Sequence, residues 1–214
     1  MLKIFGFPLS PFVRKAAVVA REKGVDYTLV AVNPRNPAAD FAAASPFRKM
    51  PAIQDGDYVL SDSTAIAAYL DRAHPEPAIF PEGARELGRA IWFEEFADTI
   101  VASSGGKVVF NRFVGPRVLG MPGDEAAAEQ GCAELQPMMD YLESQVPDEG
   151  WLVGGAYSIA DISIATILKT LDYVGACADP ASHPKTAALY QRVLARPAWQ
   201  VVLEEEHKVT GAFA

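Results

Sequence analysis

The sequence predicts an α/β domain of element order βαβαββα, followed by an all-α domain. Strand and helix signals alternate over the first eighty residues, and only helix signals appear in the second half of the chain. Three prolines and a glycine at Pro75–Gly83 mark the change between the two patterns. A β-α-β start joins parallel strands by a right-handed crossover, and the later hairpin adds an antiparallel strand. We therefore expect a mixed four-stranded sheet with helices on its faces.

The first three elements have clear boundaries in the sequence. Leu2–Phe7 is short and apolar, which predicts a buried strand. Ser10 followed by Pro11 is typical of a helix start, with serine at N-cap and proline at N1. Lys23 and Gly24 are typical of the helix end. Four apolar residues lie at helical spacing between these signals: Val13, Ala16, Ala17 and Ala20.

The rest of the first domain follows from turn and cap signals. A tight-turn signal, Asp55-Gly56-Asp57, separates two short strand-like runs and predicts a hairpin. Ser61-Asp62-Ser63 supplies capping side chains for the helix that follows. The predicted elements are strand Tyr27–Val32, a weak helix Ala38–Ala44, strands Ala52–Gln54 and Tyr58–Leu60, and a helix from about Ser63 to Ala73.

We predict domain boundaries at residues 1–79 and 86–214, with 80–85 as the linker. The helices predicted in the second domain are Glu86–Asn111, Asp124–Val146, Ile159–Gly175, Pro184–Leu194 and Pro197–Glu205, with a break from Gly115 to Gly123. Three aromatic residues of the first of these helices are expected in the core: Trp92, Phe93 and Phe96. Ser158 and Asp161 form a capping-box pattern, which we interpret as structural.

Composition excludes several classes of function. The net charge of the 214-residue chain is -8, which disfavours a nucleic-acid partner. The two cysteines, Cys132 and Cys177, have no metal-ligand or CxxC spacing, and no metal site is expected. No leader pattern opens the sequence, and no apolar run approaches the ~20 residues of a membrane span. These features favour a cytoplasmic protein.

Four segments carry a resemblance to a known family. They are Ser10-Pro-Phe-Val-Arg-Lys15, Lys49-Met-Pro-Ala-Ile53, Ser61-Asp-Ser-Thr64 and Leu152-Val-Gly-Gly-Ala-Tyr-Ser-Ile-Ala-Asp161. In this order and on this layout, the chain resembles the soluble, cytosolic glutathione transferase family, as a serine-type bacterial member. The resemblance implies the glutathione transferase fold, in which a thioredoxin-like N-terminal domain binds glutathione. It also implies a helical domain lining the co-substrate pocket, a homodimer and a role in detoxification.

Ser10 is the candidate catalytic residue. A free cysteine thiol has a pKa near 8.5, and its thiolate is the nucleophile, so an enzyme that uses glutathione must lower that pKa. A hydroxyl proton donated to sulfur and the positive end of a helix both favour the anion. We expect the Ser10 oxygen to accept a first-turn N–H while its proton points at sulfur. Members with a catalytic tyrosine carry it a few residues earlier, where this chain has Phe5 and Phe7.

The resemblance assigns five further residues to glutathione binding. It implies a cis peptide bond before Pro51, so that the backbone of Met50 pairs with the cysteinyl part of glutathione. Ser63, at a helix N-terminus, would bind the γ-glutamyl carboxylate, and Asp62 the ammonium group. Lys49 would meet the glycine carboxylate, although Arg48 is an alternative. For each residue the purely structural alternative is an ordinary cap, strand start or surface cation.

The co-substrate is predicted only as a small apolar electrophile. Phe12, Phe110 and Phe113 are candidates for its pocket. Two other functions use the same motifs. One is a glutathione-dependent isomerase, dehalogenase or ether-cleaving lyase. The other is a non-catalytic interaction module of glutathione transferase fold.

Overall fold

The computed structural model describes residues 1–33 and 37–210. The chain divides into two compact units, and the first contains residues up to Phe80 together with the helix that begins at Pro197. Its elements are β1 (Leu2–Gly6), α1 (Pro11–Glu22), β2 (Tyr27–Ala31), α2 (Ala39–Ala44), β3 (Ala52–Asp55), β4 (Tyr58–Ser61), α3 (Ser63–Ala73) and, from the C-terminus, α9 (Pro197–Thr210). The second unit runs from Pro81 to Arg196.

The sheet of the first unit has the strand order β2-β1-β3-β4. β1 pairs with β2 in parallel, and β3 pairs antiparallel with both β1 and β4. This topology confirms the predicted mixed sheet and the order βαβαββα. Four of the five residues of β1 are buried, as are Ala52 and Ile53 of β3, and a cluster of Phe5, Phe41, Ala44 and Ala52 forms one part of the core.

Helices α1 and α3 pack against each other, and α9 packs against α1. The predicted second domain, 86–214, included the C-terminal helix. In the structure α9 is part of the first unit, to which charged side chains connect it: Arg14 and Arg21 of α1 donate to Glu206 and Glu205. β1, α1 and α9 belong to the same unit, and the loop that carries Ser10 lies between β1 and α1.

The second unit is helical throughout its regular structure. Its elements are α4 (Ala84–Glu95), a first π-helical segment (Phe96–Val101), α5 (Ala102–Val109), a second π-helical segment (Phe110–Leu119), α6 (Glu125–Gln145), α7 (Ile159–Asp172) and α8 (Pro184–Leu194). The predicted break at Gly115 is wrong, because the helix continues to Leu119 and ends at Gly120, whose φ is +65°. Pro116 is tolerated there because the wider π-helical turn relaxes the hydrogen-bonding pattern.

Two of the three aromatic residues predicted in the core lie there. Phe93 and Phe96 are buried, whereas Trp92 is 42% exposed and donates its indole N–H to the hydroxyl of Tyr141 at 2.9 Å. The prediction for Trp92 was therefore wrong. None of the helices among the described residues has the length and apolar content needed to cross a membrane.

Candidate functional site

The strand register brings three of the predicted motifs to one edge of the sheet. Phe5 of β1 lies opposite Ala52 of β3, and Ala52 lies opposite Ser61 of β4. Neighbouring strands are about 4.8 Å apart. The loop after β1, the segment before β3 and the turn after β4 therefore leave the sheet side by side. These three connections carry Ser10, Met50-Pro51 and Asp62-Ser63, so residues far apart in the sequence converge on a single edge.

Ser10 occupies the N-cap position of α1, with Pro11 at N1, as the sequence predicts. Its side chain is half-buried, and it makes no capping hydrogen bond to the first turn. The expected hydrogen bond from a first-turn N–H to the Ser10 oxygen is therefore absent from this structure, and that prediction is wrong. The hydroxyl is not committed to the helix and can donate to a ligand.

A close approach between β1 and α1 fixes where the helix begins. Gly6 ends β1, and a Cβ at this position would lie 2.3 Å from Cγ2 of Val13 in α1. Only glycine lets strand and helix come this near without displacing Val13. A backbone hydrogen bond from Ser10 N to Phe7 O, at 3.0 Å, closes the turn between the two elements.

The segment before β3 presents the backbone of Met50. The Met50–Pro51 peptide bond is cis. Arg48 has φ of +56°, and its N–H donates to Ser45 O at 2.9 Å. The hydroxyl of Ser45, itself buried, donates to Lys49 O at 2.7 Å and so holds the loop from both ends. The side chains of Arg48 and Lys49 are both exposed, so either can reach a ligand carboxylate.

The turn after β4 combines a cap with an unusual backbone. Asp62 has φ of +85°, and its carboxylate accepts from Thr64 N at 2.9 Å and Ala65 N at 3.0 Å. Its own N–H donates to Pro51 O at 3.3 Å, which joins the second and third motifs directly. Ser63, the first residue of α3, is only 4% exposed. A strained non-glycine residue at a helix N-terminus is typical of a ligand site.

Replacing Asp62 separates its two roles. Asp62→Asn keeps a carbonyl acceptor for the α3 cap and tolerates positive φ, so stability should change by a few tenths of a kcal/mol. Asp62→Ala removes the cap and places alanine at positive φ, and it should lower the free energy of unfolding by about 2–3 kcal/mol. Both remove the negative charge, and both should raise the KM for glutathione. Urea unfolding and steady-state kinetics measure the two effects. A KM unchanged in both variants would mean that Asp62 only caps the helix.

Lys15 is a buried cation that the sequence analysis did not single out. It is fully buried on α1, and its Nζ lies 3.5 Å from Oγ1 of Thr64 in the first turn of α3. An ammonium group beside the positive end of a helix raises the local positive potential. The contact links α1 to the first turn of α3, directly after Asp62 and Ser63. Its spacing from Ser10 gave no signal, since lysine in a helix is ordinarily a surface residue.

The three candidate co-substrate residues lie in two different units. Phe12 is half-buried in the first turn of α1, two residues after Ser10. Phe110 and Phe113 belong to the second π-helical segment of the helical unit. Phe110 is exposed, and Phe113 stacks on Tyr173 with ring centroids 6.4 Å apart. Phe113 is thus partly engaged in packing, whereas Phe110 offers an open aromatic surface.

The predicted capping box is formed at the start of α7. Asp161 accepts from Leu152 N at 2.9 Å and from Ser158 N at 3.0 Å, and Ser158 accepts from Ala160 N. Burial raises the pKa of the Asp161 carboxyl to about 6, although these hydrogen bonds oppose the shift. All of its partners are backbone or serine groups of its own capping segment. Asp161 is therefore structural, in agreement with the interpretation of the sequence.

Among the described residues, we find no rival site at a cysteine thiol or a metal-binding cluster. Burial raises the pKa of the Cys177 thiol to about 11, so it stays protonated near neutral pH and is a poor nucleophile. Both cysteines are free. Within residues 1–33 and 37–210, the side chains of His, Cys, Asp and Glu form no group of three or more that could hold a metal ion.

Comparison with known proteins identifies the family. Residues 4–78 match the family model for the glutathione S-transferase N-terminal domain, and residues 102–197 match that for the C-terminal domain. The two matches correspond to the α/β region and the helical region of the chain.

Individual relatives match over nearly the whole length. The chain is 31% identical to glutathione S-transferase 3 of Zea mays, an alignment that covers 93% of this chain and 91% of that protein. The solved structure of glutathione S-transferase III in apo form is 30% identical and superposes with a TM-score of 0.81 over 95% of each chain. A glutathione S-transferase from Rhodospirillum rubrum shares the fold, with a TM-score of 0.86 at 24% identity over 95% of this chain and 92% of that one. The chain belongs to the glutathione S-transferase family.

Proposed function

We propose that the Ser10 hydroxyl holds bound glutathione as a thiolate for attack on an apolar electrophile, which makes the chain a serine-type member of its family. Membership already makes it a glutathione transferase, the enzyme class predicted from the sequence. One observation carries the finer proposal: Ser10, Met50-Pro51 and Asp62-Ser63 leave the sheet at the same edge, and the Ser10 hydroxyl is not used to cap α1. The bacterial origin remains a prediction.

The energetics of one hydrogen bond suffice for this role. A hydrogen bond to a charged group contributes about 1.5–3 kcal/mol. Each unit by which the thiol pKa falls requires about 1.4 kcal/mol of preferential stabilisation of the anion. A hydroxyl proton donated from Ser10 to sulfur therefore lowers the pKa by about one to two units. The N-terminus of α1, at which Ser10 lies, adds positive potential beside its hydroxyl.

The glutathione tripeptide would lie along the edge of the sheet. The N–H and C=O of Met50 pair with its cysteinyl backbone as an added strand. Ser63 binds the γ-glutamyl carboxylate at the N-terminus of α3, and Asp62 attracts the ammonium group. Lys49 or Arg48, both exposed, meets the glycine carboxylate. Each of these groups belongs to a connection that leaves the sheet at this edge, and none of the proposed contacts requires a metal ion.

In the proposed reaction the thiolate attacks the electrophilic carbon of the co-substrate. A carbon–sulfur bond forms, and a halide or another leaving group departs with the electron pair of the broken bond. The protein supplies an ionised nucleophile and the orientation of two reactants. Phe12, Phe110 and Phe113 are the proposed apolar contacts of the electrophile.

Two measurements test the proposed function on the purified chain. Retention on immobilised glutathione, with elution by free glutathione, tests the binding site. Turnover with an aryl halide, an alkyl halide and a maleyl compound then distinguishes conjugation from dehalogenation and isomerisation. We expect retention and aryl-halide conjugation. Retention without turnover of any substrate would instead favour a non-catalytic module, and absence of retention would contradict the proposed site.

We also propose that the enzyme is a cytoplasmic homodimer, and Phe47 offers a test of the dimer. This residue, between α2 and β3, is 86% exposed, and among the large hydrophobic residues that the structure describes only Met1 is more exposed, so we take Phe47 as the candidate dimer contact. Phe47→Ser should shift the protein from dimer to monomer in sedimentation equilibrium. Val201 is another exposed apolar residue and provides the matched control, because the Val201→Ser protein should stay dimeric. A dimer of unchanged stability in Phe47→Ser would exclude this surface.

A further inference from the structure

A buried ion pair lies directly behind the loop that carries Ser10. Arg14, one helical turn after Ser10, and Glu206 of α9 are each about 1% exposed. The Arg14 Nε donates to Oε1 of Glu206 at 2.5 Å and its Nη2 to Oε2 at 3.0 Å, a bidentate pair. The two residues are 192 positions apart in the sequence. The pair joins α9 to the beginning of α1.

Arg14 holds the peptide groups on both sides of Ser10. Its Nη2 also contacts the carbonyl oxygen of Leu9 at 3.5 Å, a long contact between a full charge and a dipole in a buried setting. Its backbone N–H donates to the carbonyl oxygen of Ser10 at 2.9 Å. One residue therefore restrains the carbonyl that precedes the Ser10 Cα and the carbonyl that follows it. These two peptide planes determine the direction of the Ser10 side chain.

Stability alone is a weak reason for this arrangement. Desolvation of two charges offsets most of their attraction, and well-packed apolar residues in place of a buried ion pair are often neutral or stabilising. A planar guanidinium with a fixed fork of donors can, in contrast, bind a carboxylate and still reach a carbonyl on its other side. The chemistry of the pair therefore favours a role in orienting the loop that carries Ser10 over a role in stabilising the fold.

We propose that Arg14 and Glu206 are positioning residues for Ser10. Glu206 orients the guanidinium, and the guanidinium holds Leu9 so that the Ser10 hydroxyl points at the sulfur of glutathione. The inference rests on the proposed thiolate role of Ser10. It gives the C-terminal helix a function in catalysis through a contact within the first unit.

The test is a double variant, Arg14→Met with Glu206→Met, which removes both charges together and leaves no buried ion alone. The protein should remain folded, because methionine is a flexible apolar residue and replacement of a buried ion pair by apolar residues is often neutral or stabilising. The pKa of the bound glutathione thiol, read from thiolate absorbance, should rise by about half a unit or more, which is about a threefold loss of thiolate below the midpoint. The kcat should fall with it, while the KM for glutathione changes little.

Three further variants make the result decisive. Arg14→Lys keeps a positive charge paired with Glu206 but loses the forked donor group that reaches Leu9, so it should raise the thiol pKa. It therefore tests the proposal independently of whether the double variant folds. Glu205→Gln, on the same helix, removes the negative charge and one acceptor oxygen from the side chain that binds Arg21 and Tyr27, and it should leave the thiol pKa unchanged. Ser10→Ala shows whether the hydroxyl itself matters.

The outcomes distinguish the inference from the proposed function. A raised thiol pKa in the double variant and in Arg14→Lys, with Glu205→Gln unchanged, supports the positioning role. If Ser10→Ala raises the pKa but neither Arg14 variant does, the positioning role is overturned and the proposed function stands. An equal rise in Glu205→Gln also overturns it, because docking of α9 as a whole would then be the cause. If Ser10→Ala has no effect, the proposed function itself fails.

Discussion

Ser10→Ala is expected to lower kcat by about 10- to 100-fold at a pH below the thiol midpoint, with little change in the KM for glutathione. The variant removes the hydroxyl proton that would stabilise the sulfur anion, and one to two pKa units correspond to this range. The binding groups of Met50 and Ser63 lie on other connections and remain. The dependence of kcat on pH reports the thiol in the enzyme–glutathione complex, so its lower limb should move to higher pH by the same one to two units.

Ser10→Thr is the matched control for this loss. It keeps a hydroxyl at the N-cap position of α1, where threonine is also a good residue, and should retain much of the activity. Equal loss in the threonine and alanine variants would indicate that the shape of the serine matters and its proton does not. An alanine variant with unchanged kcat and pH profile would remove Ser10 from the mechanism.

The second large effect is on stability. Asp161→Ala should lower the free energy of unfolding by about 2–6 kcal/mol, because it leaves the buried N–H groups of Leu152 and Ser158 without their acceptor at about 1–3 kcal/mol each. A loss in this range is a large fraction of the 5–15 kcal/mol typical of a folded protein. Asp161→Asn keeps one carbonyl acceptor and should lose less. Denaturant unfolding at neutral pH measures both. Equal stability of the wild type and the alanine variant would contradict the assigned capping role.

Asp161 also predicts a dependence of stability on pH. Burial raises its pKa from 3.8 to about 6 in the folded protein, so the folded state binds the proton more tightly than the unfolded state does. The stabilising contribution is complete below pH 3.8 and is lost as the pH rises to about 6. Two units correspond to about 3 kcal/mol. Asp161→Asn, which cannot ionise, should lack this component of the slope in unfolding experiments between pH 4 and 7. An identical slope in the two proteins would contradict it.

Local signals explain why much of the fold could be predicted. The serine–proline pair marks the start of α1, the Asp55-Gly56-Asp57 turn lies between β3 and β4, and Asp62 caps α3. Each signal depends on backbone chemistry within a few residues, which the sequence displays directly. The same applies to the capping box of α7, whose partners are all within nine positions of Asp161.

The helical unit shows where local signals fail. Gly115 and Pro116 ordinarily end a helix, but here a π-helical segment accommodates them and the helix continues to Leu119. Trp92 has the composition of a core residue, yet its position on α4 leaves it 42% exposed beside Tyr141. Tertiary packing determines both the continuation of the helix and the exposure of Trp92, and local patterns in a single sequence carry no information about that packing.

The residues of the candidate site came from sequence motifs, whereas the contacts that support them in the structure did not. The motifs gave Ser10, Pro51 and Ser63, because their residue types indicate capping, strand entry and anion binding. The contact of Arg14 with Glu206 spans almost the whole chain and has no pattern that a sequence displays. Likewise, a lysine at position 15 of a helix is expected at the surface from the sequence, and only the structure shows its contact with Thr64.

The central claim is that the Ser10 hydroxyl keeps the sulfur of bound glutathione ionised near neutral pH. Titration of thiolate absorbance in the wild-type complex, with the Ser10→Ala complex beside it, measures this directly. The account predicts a wild-type midpoint about one to two units below the 8.5 of a free thiol, and a midpoint near 8.5 in the variant. Coincident midpoints in the two complexes would contradict it.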